Sequence, residues 1–333
     1  MSSKSVLVTG GLGYIGSHVC AALATKNIRV VAFDNLTNSQ LDSFAALKSL
    51  GGENVSFVRG DVRDGAAVLA ALRQFEVTDV IHLAALKSVQ ESIQNSLQYY
   101  DNNVVGTFRV LEAMQQGGVN RFVFSSSACV YGDVGQDALN ESSALAPASP
   151  YGRTKVIGEQ ITRDVLSATG SAVILRYFNP LGAHPSGRLM DRPLGKPQNV
   201  MPALLRARTN GGVFDIFGND YPTPDGTCLR DYVHVEDLAD GHVAALDYVA
   251  THSATSLFNL GTGRSTSVRE LLASFVDAAG AGIPVRVQPR RPGDVMTAWA
   301  NVDQARRELS WSASRSLTEM CASAIRADAM VAA

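Results

Sequence analysis

The 333-residue sequence contains only four cysteines, Cys20, Cys129, Cys228 and Cys321. No two of them form a Cys-x-x-Cys pair. Structural zinc sites and disulfide frameworks both need cysteines that are numerous or closely spaced. The sequence therefore argues against both, and we expect no metal in the functional site.

A surplus of charge of one sign is also lacking. The 29 Lys and Arg residues are balanced by 31 Asp and Glu residues, which leaves a formal net charge of −2. Binding to nucleic acid or to an anionic membrane generally needs positive charge in excess. We therefore expect neither a nucleic acid nor a membrane as a partner.

Long apolar runs are missing as well. The sequence contains no stretch of about 18 apolar residues, the length that a helix needs to span a bilayer. The start, Met1-Ser2-Ser3-Lys4, leads into a strand-like run and shows neither the apolar stretch nor the cleavage site of a signal peptide. Because 46% of the residues are hydrophobic, the composition indicates a globular protein. We expect a cytoplasmic location.

Short apolar runs alternate with helical patterns through the first half of the chain. These runs are continuous and rich in β-branched residues, which is typical of strands covered on both faces. Strands that alternate with helices predict an α/β fold with a Rossmann-type, doubly wound parallel sheet. The expected strands include residues 6–8, 30–33, 55–58, 80–83, 122–124 and 173–175.

The composition changes near Phe178. Residues 179–200 are rich in Pro, Gly, Asn and His, which is typical of loops. We predict a nucleotide-binding domain over 1–178 and a smaller mixed α/β substrate domain over 179–333, with some segments interleaved. The second region is expected to contain helices near 200–209, 236–250, 267–279 and 316–328, and strands near 214–216, 258–260 and 283–288. It would cover the carboxyl ends of the strands, where open α/β sheets bind ligands.

A glycine-rich turn follows the first strand. Gly10, Gly13 and Gly16 come directly after Val6–Thr9 and open a helix. In this context, glycines let the backbone approach a pyrophosphate, and the helix N-terminus faces its charge. The pattern predicts a dinucleotide site. A tight turn whose glycines serve packing alone is the alternative.

Asp34 stands at the end of the second expected strand. An acidic group there accepts hydrogen bonds from the ribose hydroxyls of NAD and repels the 2′-phosphate of NADP. The next four residues, Asn35-Leu36-Thr37-Asn38, include no Arg or Lys to bind that phosphate. The sequence therefore favours NAD. The alternative is that Asp34 is a turn or N-cap residue.

Two further positions follow strands of the same sheet. Asp61 and Val62 come after the third strand, where an adenine ring would lie, and Lys87 comes after the fourth. Lys87 could reach a phosphate or ribose of the cofactor. A turn aspartate and a solvated lysine are the alternatives.

Tyr151 and Lys155 are four residues apart and would share one helix face. A phenol with a pKa near ~10 is a poor base at pH 7, and a nearby ammonium favours the phenolate. Lowering that pKa by about three units needs roughly 4 kcal/mol, whereas one cation at about 6 Å supplies roughly 3 kcal/mol at an effective dielectric of about 20. Two cations near the phenol would therefore suffice to lower its pKa to about neutral pH. Alone, the pair could be an exposed helix pair, but the upstream glycine turn favours catalysis.

Ser125, Ser126 and Ser127 end the fifth expected strand. A serine there can hydrogen-bond a substrate hydroxyl and the Tyr151 oxygen. For at least two of the three, helix capping and turn formation are the expected roles. The chain has no Gly-x-Ser-x-Gly motif and no Asp–His pair placed to activate a serine, so a hydrolase is not indicated.

These motifs resemble those of the extended short-chain dehydrogenases/reductases. The resemblance rests on residues 8–18, 100–103, 125–132 and 149–155. Within that group, residues 175–187, 216–223, 230–235 and 290–294 are similar to the UDP-glucose 4-epimerase family, and the likeness covers about residues 5–325.

The resemblance implies a role for each matching residue. Tyr151 would be the general base and acid, Lys155 its partner and a ribose ligand, and Ser127 the second contact to the substrate hydroxyl. The residues that would bind NAD are Gly10, Gly13, Tyr14, Ile15, Gly16, Asp34, Asn35, Asp61, Val62, Lys87, Asn102, Tyr151, Lys155 and Phe178. The residues that would bind the UDP-sugar are Ser127, Asn179, Asn199, Phe217, Arg230, Arg291, Asp294 and Ala298. Independently, bidentate guanidinium groups suit a diphosphate, although each arginine could instead form a structural ion pair.

The resemblance also implies NAD-dependent 4-epimerisation of UDP-hexoses and a homodimer formed through helices near 95–115 and 151–168. A sister enzyme, such as a nucleotide-sugar dehydratase, is the nearest alternative. Dehydration needs an additional acid, and Ala128-Cys129 follow the serines where those relatives have Asp-Glu. A non-catalytic NAD-sensing regulator is a more distant alternative, since it would not need both Tyr151 and Lys155.

Three positions depart from the family pattern. Cys129 stands in place of a Thr, Ala85 in place of a Gly, and Ala298 in place of a Tyr beside the sugar's 2-substituent. The third departure predicts that UDP-GalNAc and UDP-GlcNAc are accepted as well. The alternative is that Trp299 or Leu181 fills the space, because protein interiors are close-packed.

Overall fold

The computed structural model describes residues 4–133, 135–195 and 197–332. The strands, in chain order, are β1 (Ser5–Thr9), β2 (Arg29–Asp34), β3 (Val55–Arg59), β4 (Asp79–His82), β5 (Arg121–Ser127), β6 (Ser171–Tyr177), β7 (Asn179–Leu181), β8 (Phe214–Phe217), β9 (Leu229–Arg230), β10 (Tyr232–His234), β11 (Thr255–Leu260), β12 (Thr266–Ser267), β13 (Val285–Gln288) and β14 (Thr297–Ala298).

The helices, in chain order, are α1 (Tyr14–Thr25), α2 (Leu41–Gly51), α3 (Gly65–Gln74), α4 (Val89–Gln94), α5 (Ser96–Tyr100), α6 (Gly106–Gly117), α7 (Pro150–Leu166), α8 (Val200–Thr209), α9 (Val235–Val249), α10 (Val268–Ala279), α11 (Asp303–Glu308) and α12 (Leu317–Ala332). A π-helical turn, Asp101–Val105, lies between α5 and α6.

Within the described residues, seven strands form one parallel sheet in the order β3-β2-β1-β4-β5-β6-β11. The predicted fold class is therefore confirmed. Val6 of β1 is paired with Val30 of β2 on one side and with Asp79 of β4 on the other. Because the chain winds in opposite directions from β1 and from β4, the loops after these two strands part at the carboxyl edge. This is the position at which such sheets bind ligands.

Helices cover both faces of the large sheet. Along β1, Val6 and Val8 join a core cluster with α1 and α9, whereas Leu7 joins the cluster on the opposite face with residues of α3 and α6. Side chains in a strand alternate between faces, so a strand covered on both sides must be continuously apolar. Each such side chain contributes roughly 1.5–3 kcal/mol by leaving water.

The second region has its own core, where α8, α10 and α12 pack together through Leu204, Phe275 and Met320. Near this core β8 pairs with β13, and β9 pairs with both β12 and β14. The predicted helices and strands of this region are present within a few residues of their expected bounds.

One segment of this region belongs to the large sheet. The strand that the sequence predicts near 258–260 is β11, which pairs with β6 through contacts such as Phe258 with Leu175. The apolar face of α9, including Leu238 and Val243, packs into the same core as α1 and returns the chain parallel to β6. The division of the chain at residue 178 stays a prediction.

Candidate active site

The glycine turn after β1 has the geometry of a phosphate cradle. Gly10 has a φ of +68°, and a Cβ at Gly16 would lie 2.0 Å from the Gly10 carbonyl oxygen. Only glycine fits such a close approach. The N-cap residue of α1 is Gly13, which has no side chain to accept a hydrogen bond from the helix. The first N–H groups of α1 therefore face the turn without a side-chain acceptor. Unsatisfied N–H groups at a helix N-terminus favour an anion, and the turn therefore fits a pyrophosphate.

Asp34 lies beside this turn at the end of β2 and is almost fully buried. Its carboxylate accepts hydrogen bonds from the backbone N–H of Leu12 at 3.1 Å and of Leu36 at 2.9 Å, and from Oγ of Ser39 at 2.7 Å. These bonds hold the carboxylate in place at the carboxyl end of β2. Because a carboxylate only accepts hydrogen bonds, it suits ribose hydroxyls, which can donate them. Ser39 was not among the residues expected at the site, because a loop serine carries no sequence signal of its own.

Asp61 connects two of the predicted cofactor positions. It accepts a hydrogen bond from Nδ2 of Asn35 at 3.1 Å and pairs with Arg63 at 2.8 Å, while Arg63 also pairs with Asp101 at 2.6 Å. Hydrogen bonds from Arg63 outweigh partial burial and hold the pKa of Asp61 well below its usual range. Arg63 was missed from sequence, although its position two residues after Asp61 could have indicated it. The network ends next to Asn102, which brings three of the expected cofactor residues into one neighbourhood.

Asn103, in the π-helical turn, ties the segment after β4 to α7. Its side chain accepts from the Leu86 N–H at 2.8 Å and donates to the Leu86 carbonyl and to Oγ1 of Thr154, each at 3.0 Å. Asn102 in turn donates to Asn103 at 2.9 Å. The buried Asn103 thus holds α7 against the segment that follows β4. Its role could not be predicted from sequence because its three contacts lie on distant segments.

Tyr151 and Lys155 lie on one face of α7, as their spacing predicts. Ser149 caps this helix by accepting from the Gly152 N–H at 3.1 Å, and Pro150 occupies its first turn. Both features stabilise helix starts. The Lys155 Nζ lies 6.0 Å from the centre of the Tyr151 ring and donates to the Ser125 carbonyl at 2.7 Å. Both side chains are buried at the end of β5.

Burial governs the ionisation of this pair. It raises the pKa of Tyr151 well above the ordinary value, and the nearby Cys129 and Tyr177 add to this, while a hydrogen bond with Ser127 lowers it. Burial also lowers the pKa of Lys155 to about 8, against the favourable effect of Glu159. The surrounding residues therefore keep Tyr151 a neutral phenol near pH 7.

The three serines at the end of β5 have different partners. Ser125 is hydrogen-bonded to the Tyr177 hydroxyl, and Ser126 donates to Glu159. Glu159 is itself paired with the buried Arg176 at 2.6 Å. Ser127 is the serine whose side chain lowers the pKa of Tyr151. It also accepts from the Cys129 N–H at 3.2 Å.

Five of the predicted substrate residues lie together on the second region. Arg230 of β9 is paired directly with Ala298 of β14. The Arg291 guanidinium lies 4.4 Å from the centre of the Phe217 ring, and its Nε is 3.1 Å from a carboxylate oxygen of Asp294. Burial disfavours the charge of Arg230, but Cys228 and Asp294 outweigh this and raise its pKa.

This arginine cluster borders the Tyr151 site. Cys129 packs against Tyr151. Burial is the main reason that the pKa of its thiol is raised, and the charge of Asp294 also raises it while that of Arg230 lowers it. In addition, Nε2 of Gln90 on α4 donates to the Pro292 carbonyl at 2.6 Å. This bond joins α4 to the loop that carries Arg291. The predicted catalytic residue Tyr151 thus lies close to the predicted substrate residues Arg230 and Asp294.

The remaining expected residues are more scattered. Phe178 is buried in a cluster with Ala298, and Asn179 bonds the Asp231 carbonyl through its N–H while its side chain is exposed. Val62 is buried in the core beneath α6. Tyr14 donates to the Gly182 carbonyl at 2.7 Å. Ile15 packs at the edge of the α1 core.

Lys87 and Asn199 lie on different segments of the chain and both contact Asp191. Asp191 was not among the residues predicted from the sequence. It stands in a loop without a motif.

The structure contains the features that the sequence predicted for an enzyme of the short-chain dehydrogenase/reductase type. They are the glycine turn before α1, the buried Asp34 at the end of β2, the buried Tyr151–Lys155 pair, and Arg230 and Arg291. In the part of the chain that the structure describes, no group of three or more His, Cys, Asp and Glu side chains could hold a metal ion. Nor does any helix of that part have the length and apolarity to cross a membrane.

Comparisons with known proteins identify the family. The model of the NAD-dependent epimerase/dehydratase family matches residues 6–261. The UDP-glucose 4-epimerase of Bacillus subtilis is 45% identical over 325 residues, 97% of this chain and 96% of that protein. The enzyme of the same name from Yersinia pestis is 46% identical over 321 residues, 95% of either chain.

Solved structures agree. A UDP-glucose 4-epimerase from Stenotrophomonas maltophila, with bound NAD and formylated UDP-arabinopyranose, has a TM-score of 0.95 at 41% identity and 99% coverage of both chains. The enzyme from Bifidobacterium longum, in complex with NAD+ and UDP, has a TM-score of 0.95 at 39% identity and 98% coverage of both chains.

The chain therefore belongs to the NAD-dependent epimerase/dehydratase family and, within it, to the UDP-glucose 4-epimerases. The family resemblance seen in the sequence is confirmed, as are the predicted NAD dependence and UDP-hexose 4-epimerase activity.

Proposed function

We propose that this chain interconverts UDP-galactose and UDP-glucose through a 4-keto sugar, with Tyr151 as the group that moves the proton of the 4-hydroxyl. The observation that carries this proposal is the buried Tyr151, the centre of whose ring lies 6.0 Å from the Lys155 ammonium. The Ser127 side chain lowers the pKa of this tyrosine. NAD, when bound, supplies a hydride acceptor and donor and, in its oxidised form, a second positive charge.

Tyr151 needs that additional charge to act as a base. Its pKa is raised in the protein alone, chiefly by burial, and Lys155 by itself does not reverse this. We propose that the phenolate forms only in the complete site, where it accepts the 4-hydroxyl proton and later returns it to the 4-keto oxygen. Ser127 would hold the same sugar oxygen in place.

The cofactor-binding roles follow from the cradle. Gly10, Gly13 and Gly16 leave room for a pyrophosphate at the start of α1, and Asp34 offers a fixed, buried acceptor to the adenosine ribose. An anion at that position disfavours a 2′-phosphate. We therefore propose that this site prefers NAD to NADP.

The arginine cluster would hold the UDP part of the substrate. Arg230 and Arg291 bring two guanidinium groups to one patch, with Asp294 and Phe217 against Arg291. Charge-assisted hydrogen bonds to a diphosphate are the strongest contacts that such a patch can make. Asn179 and Asn199 would add neutral contacts.

Ala298 supports a broader substrate range. The indole N–H of Trp299 donates to the Gln136 carbonyl at 2.9 Å, and Leu181 packs into the core of the second region. Trp299 and Leu181, the two residues named from the sequence as possible fillers of the space beside Ala298, therefore have other partners. We propose that UDP-GalNAc and UDP-GlcNAc are substrates too.

A homodimer through α5 to α7 remains a proposal. Leu97 is 84% exposed, and Val105 and Phe108, which follow on the same helical stretch, are 40% and 46% exposed. Large apolar side chains grouped on one surface favour burial in a protein contact. The cytoplasmic location expected from the sequence stays a prediction.

The direct test is to incubate the purified protein with UDP-galactose without added NAD and to analyse the products. The expected product is UDP-glucose, formed to an equilibrium mixture without net consumption of NAD. Release of a dehydrated 4-keto sugar as the main product would instead indicate a dehydratase and contradict the proposal.

A further inference from the structure

Asp191 touches both of the ligand sites proposed above. Its Oδ1 lies 3.5 Å from Nζ of Lys87, and its Oδ2 accepts a hydrogen bond from Nδ2 of Asn199 at 3.0 Å. Lys87 is proposed to bind the cofactor and Asn199 the substrate. Only 13% of the Asp191 side chain is exposed. One mostly buried carboxylate thus connects two side chains assigned to different ligands.

The neighbouring contacts show that this meeting point is built by three segments. The Lys87 ammonium lies 5.7 Å from the centre of the Tyr14 ring on α1, and the Tyr14 hydroxyl donates to the Gly182 carbonyl at 2.7 Å. Ser88, next to Lys87, also donates to the Gln198 side chain, next to Asn199. The same two segments are therefore joined at two points, and Asp191 supplies one of them.

The chemistry of a carboxylate gives this arrangement a function. An anion cannot itself bind a diphosphate, so Asp191 can serve the ligands only through the groups it orients. A carboxylate accepts hydrogen bonds and donates none, which requires Asn199 to present its NH₂ group to Asp191. The amide Oδ1 and the second N–H of Asn199 are then left for a ligand. On the other side, the carboxylate restrains the flexible Lys87 stem.

We propose that Asp191 is a positioning residue that orients Asn199 toward the UDP-sugar and Lys87 toward NAD. The inference rests on the proposed roles of these two residues. Positioning partners of this kind act through the residue they hold, so removing both should be no worse than removing the held residue alone.

The first experiment is a double-mutant cycle on the substrate side. UDP affinity by calorimetry and steady-state kinetics with UDP-galactose would compare wild type with Asp191→Ala, Asn199→Ala and the double variant. We expect each single change to weaken UDP binding and raise KM about 3–10-fold with kcat within about twofold, and the double variant to match Asn199→Ala. A purely structural defect would lower kcat and stability as well.

The second experiment addresses the cofactor side. Asp191→Asn keeps the shape of the side chain but removes the charge that faces Lys87. We expect Asp191→Asn and Lys87→Met each to release NAD several-fold faster during dialysis, and the double variant to behave like Lys87→Met. Asp328→Asn is a matched control, because Asp328 also accepts from a side chain, Thr209 at 2.9 Å, and faces a cation, Arg208 at 3.9 Å.

The outcomes separate the inference from the function on which it rests. If Asn199→Ala weakens UDP binding but Asp191→Ala does not, the positioning role is wrong and the substrate site stands. If the two effects multiply in the double variant, Asp191 acts independently of Asn199 and the inference is wrong. If neither variant changes UDP binding, the role of Asn199 fails together with the inference. If Asp191→Ala folds poorly, the same double-mutant cycle is measured with Asp191→Asn in its place.

Discussion

The Lys155 ammonium lies 6.0 Å from the centre of the Tyr151 ring while it donates a hydrogen bond to the Ser125 carbonyl. At that separation, one cation favours the phenolate by roughly 3 kcal/mol at an effective dielectric of about 20, less than the roughly 4 kcal/mol needed to bring a phenol to neutral pH. Burial acts in the opposite direction and raises the pKa of Tyr151. We therefore propose that Tyr151 becomes a base only when a ligand completes its surroundings.

Tyr151→Phe should lower the rate of UDP-galactose turnover by about 10²–10⁴-fold, the usual contribution of a general acid–base group. The ring still packs against Leu86 and Tyr99, so NAD retention and the thermal midpoint should stay near those of wild type. The measurement is a coupled assay for UDP-glucose, with Tyr99→Phe as a control outside the proposed chemistry. A wild-type rate in the Tyr151 variant would contradict its role.

Asp34→Asn should weaken the preference for NAD, since the amide keeps an acceptor for the backbone but lacks the charge that repels a 2′-phosphate. Nucleotide released by denaturing the purified wild-type protein should be NAD(H) with little NADP(H). The variant should lose NAD more readily and discriminate less against NADP. Asp42→Asn, on the exposed start of α2, serves as the control. A wild-type protein that releases mainly NADP(H) would overturn this assignment.

Arg230→Ala and Arg291→Ala should each weaken UDP binding by a few kcal/mol, because charge-assisted hydrogen bonds to the diphosphate are lost. Calorimetric titration of UDP at two salt concentrations would measure this, and the variants should show less salt dependence than wild type. Arg286→Ala removes a similar but exposed ion pair with Asp215 on the far strands and should have no effect. Wild-type affinity in both variants would place the UDP site elsewhere.

Ala298→Tyr should narrow the substrate range. Ala298 is 8% exposed beside Phe178, so a tyrosine there would enter the space proposed for an N-acetyl group. We expect kcat/KM for UDP-GalNAc to fall at least about tenfold while that for UDP-galactose changes little, a difference of about 1.4 kcal/mol between the two transition states. Full N-acetyl activity in the variant would show that another residue limits the pocket, and none in wild type would refute the broader range.

Glu236 should make the stability of the protein depend on pH. Burial, with Asp240 and Asp237, raises the pKa of Glu236 to about 7 against the opposing effect of Arg315, and His18 faces it at 3.9 Å with a neutral ring. Because the folded protein holds this proton more tightly than the unfolded chain, stability falls as pH rises from about 4.5 to about 7 and then stays lower.

Glu236→Gln should therefore raise the free energy of unfolding at pH 8 by on the order of 2–3 kcal/mol, and the difference should vanish near pH 4. Denaturant unfolding across this range would measure it. Glu53→Gln, at a fully exposed position, should show no such pH-dependent difference. Equal stability of wild type and the Glu236 variant at pH 8 would contradict the prediction.

Much of the fold was accessible from local pattern. Continuous apolar runs such as Val6–Val8 predict strands covered on both faces, and glycines at 10, 13 and 16 predict the cradle, because each signal depends only on neighbouring residues. The Tyr151–Lys155 pair follows in the same way from helical spacing. The family resemblance added the substrate residues, which no local pattern alone assigns to a ligand.

Other features depend on contacts between distant parts of the chain. The seventh strand, Thr255–Leu260, joins the large sheet because α9 packs against α1 and directs it there. Asn103 reaches Leu86 and Thr154, and Asp191 joins Lys87 to Asn199, only after folding. The raised pKa of Tyr151 likewise comes from burial. Local spacing places chemical groups along the chain, whereas their partners and their solvation are set by how the chain packs.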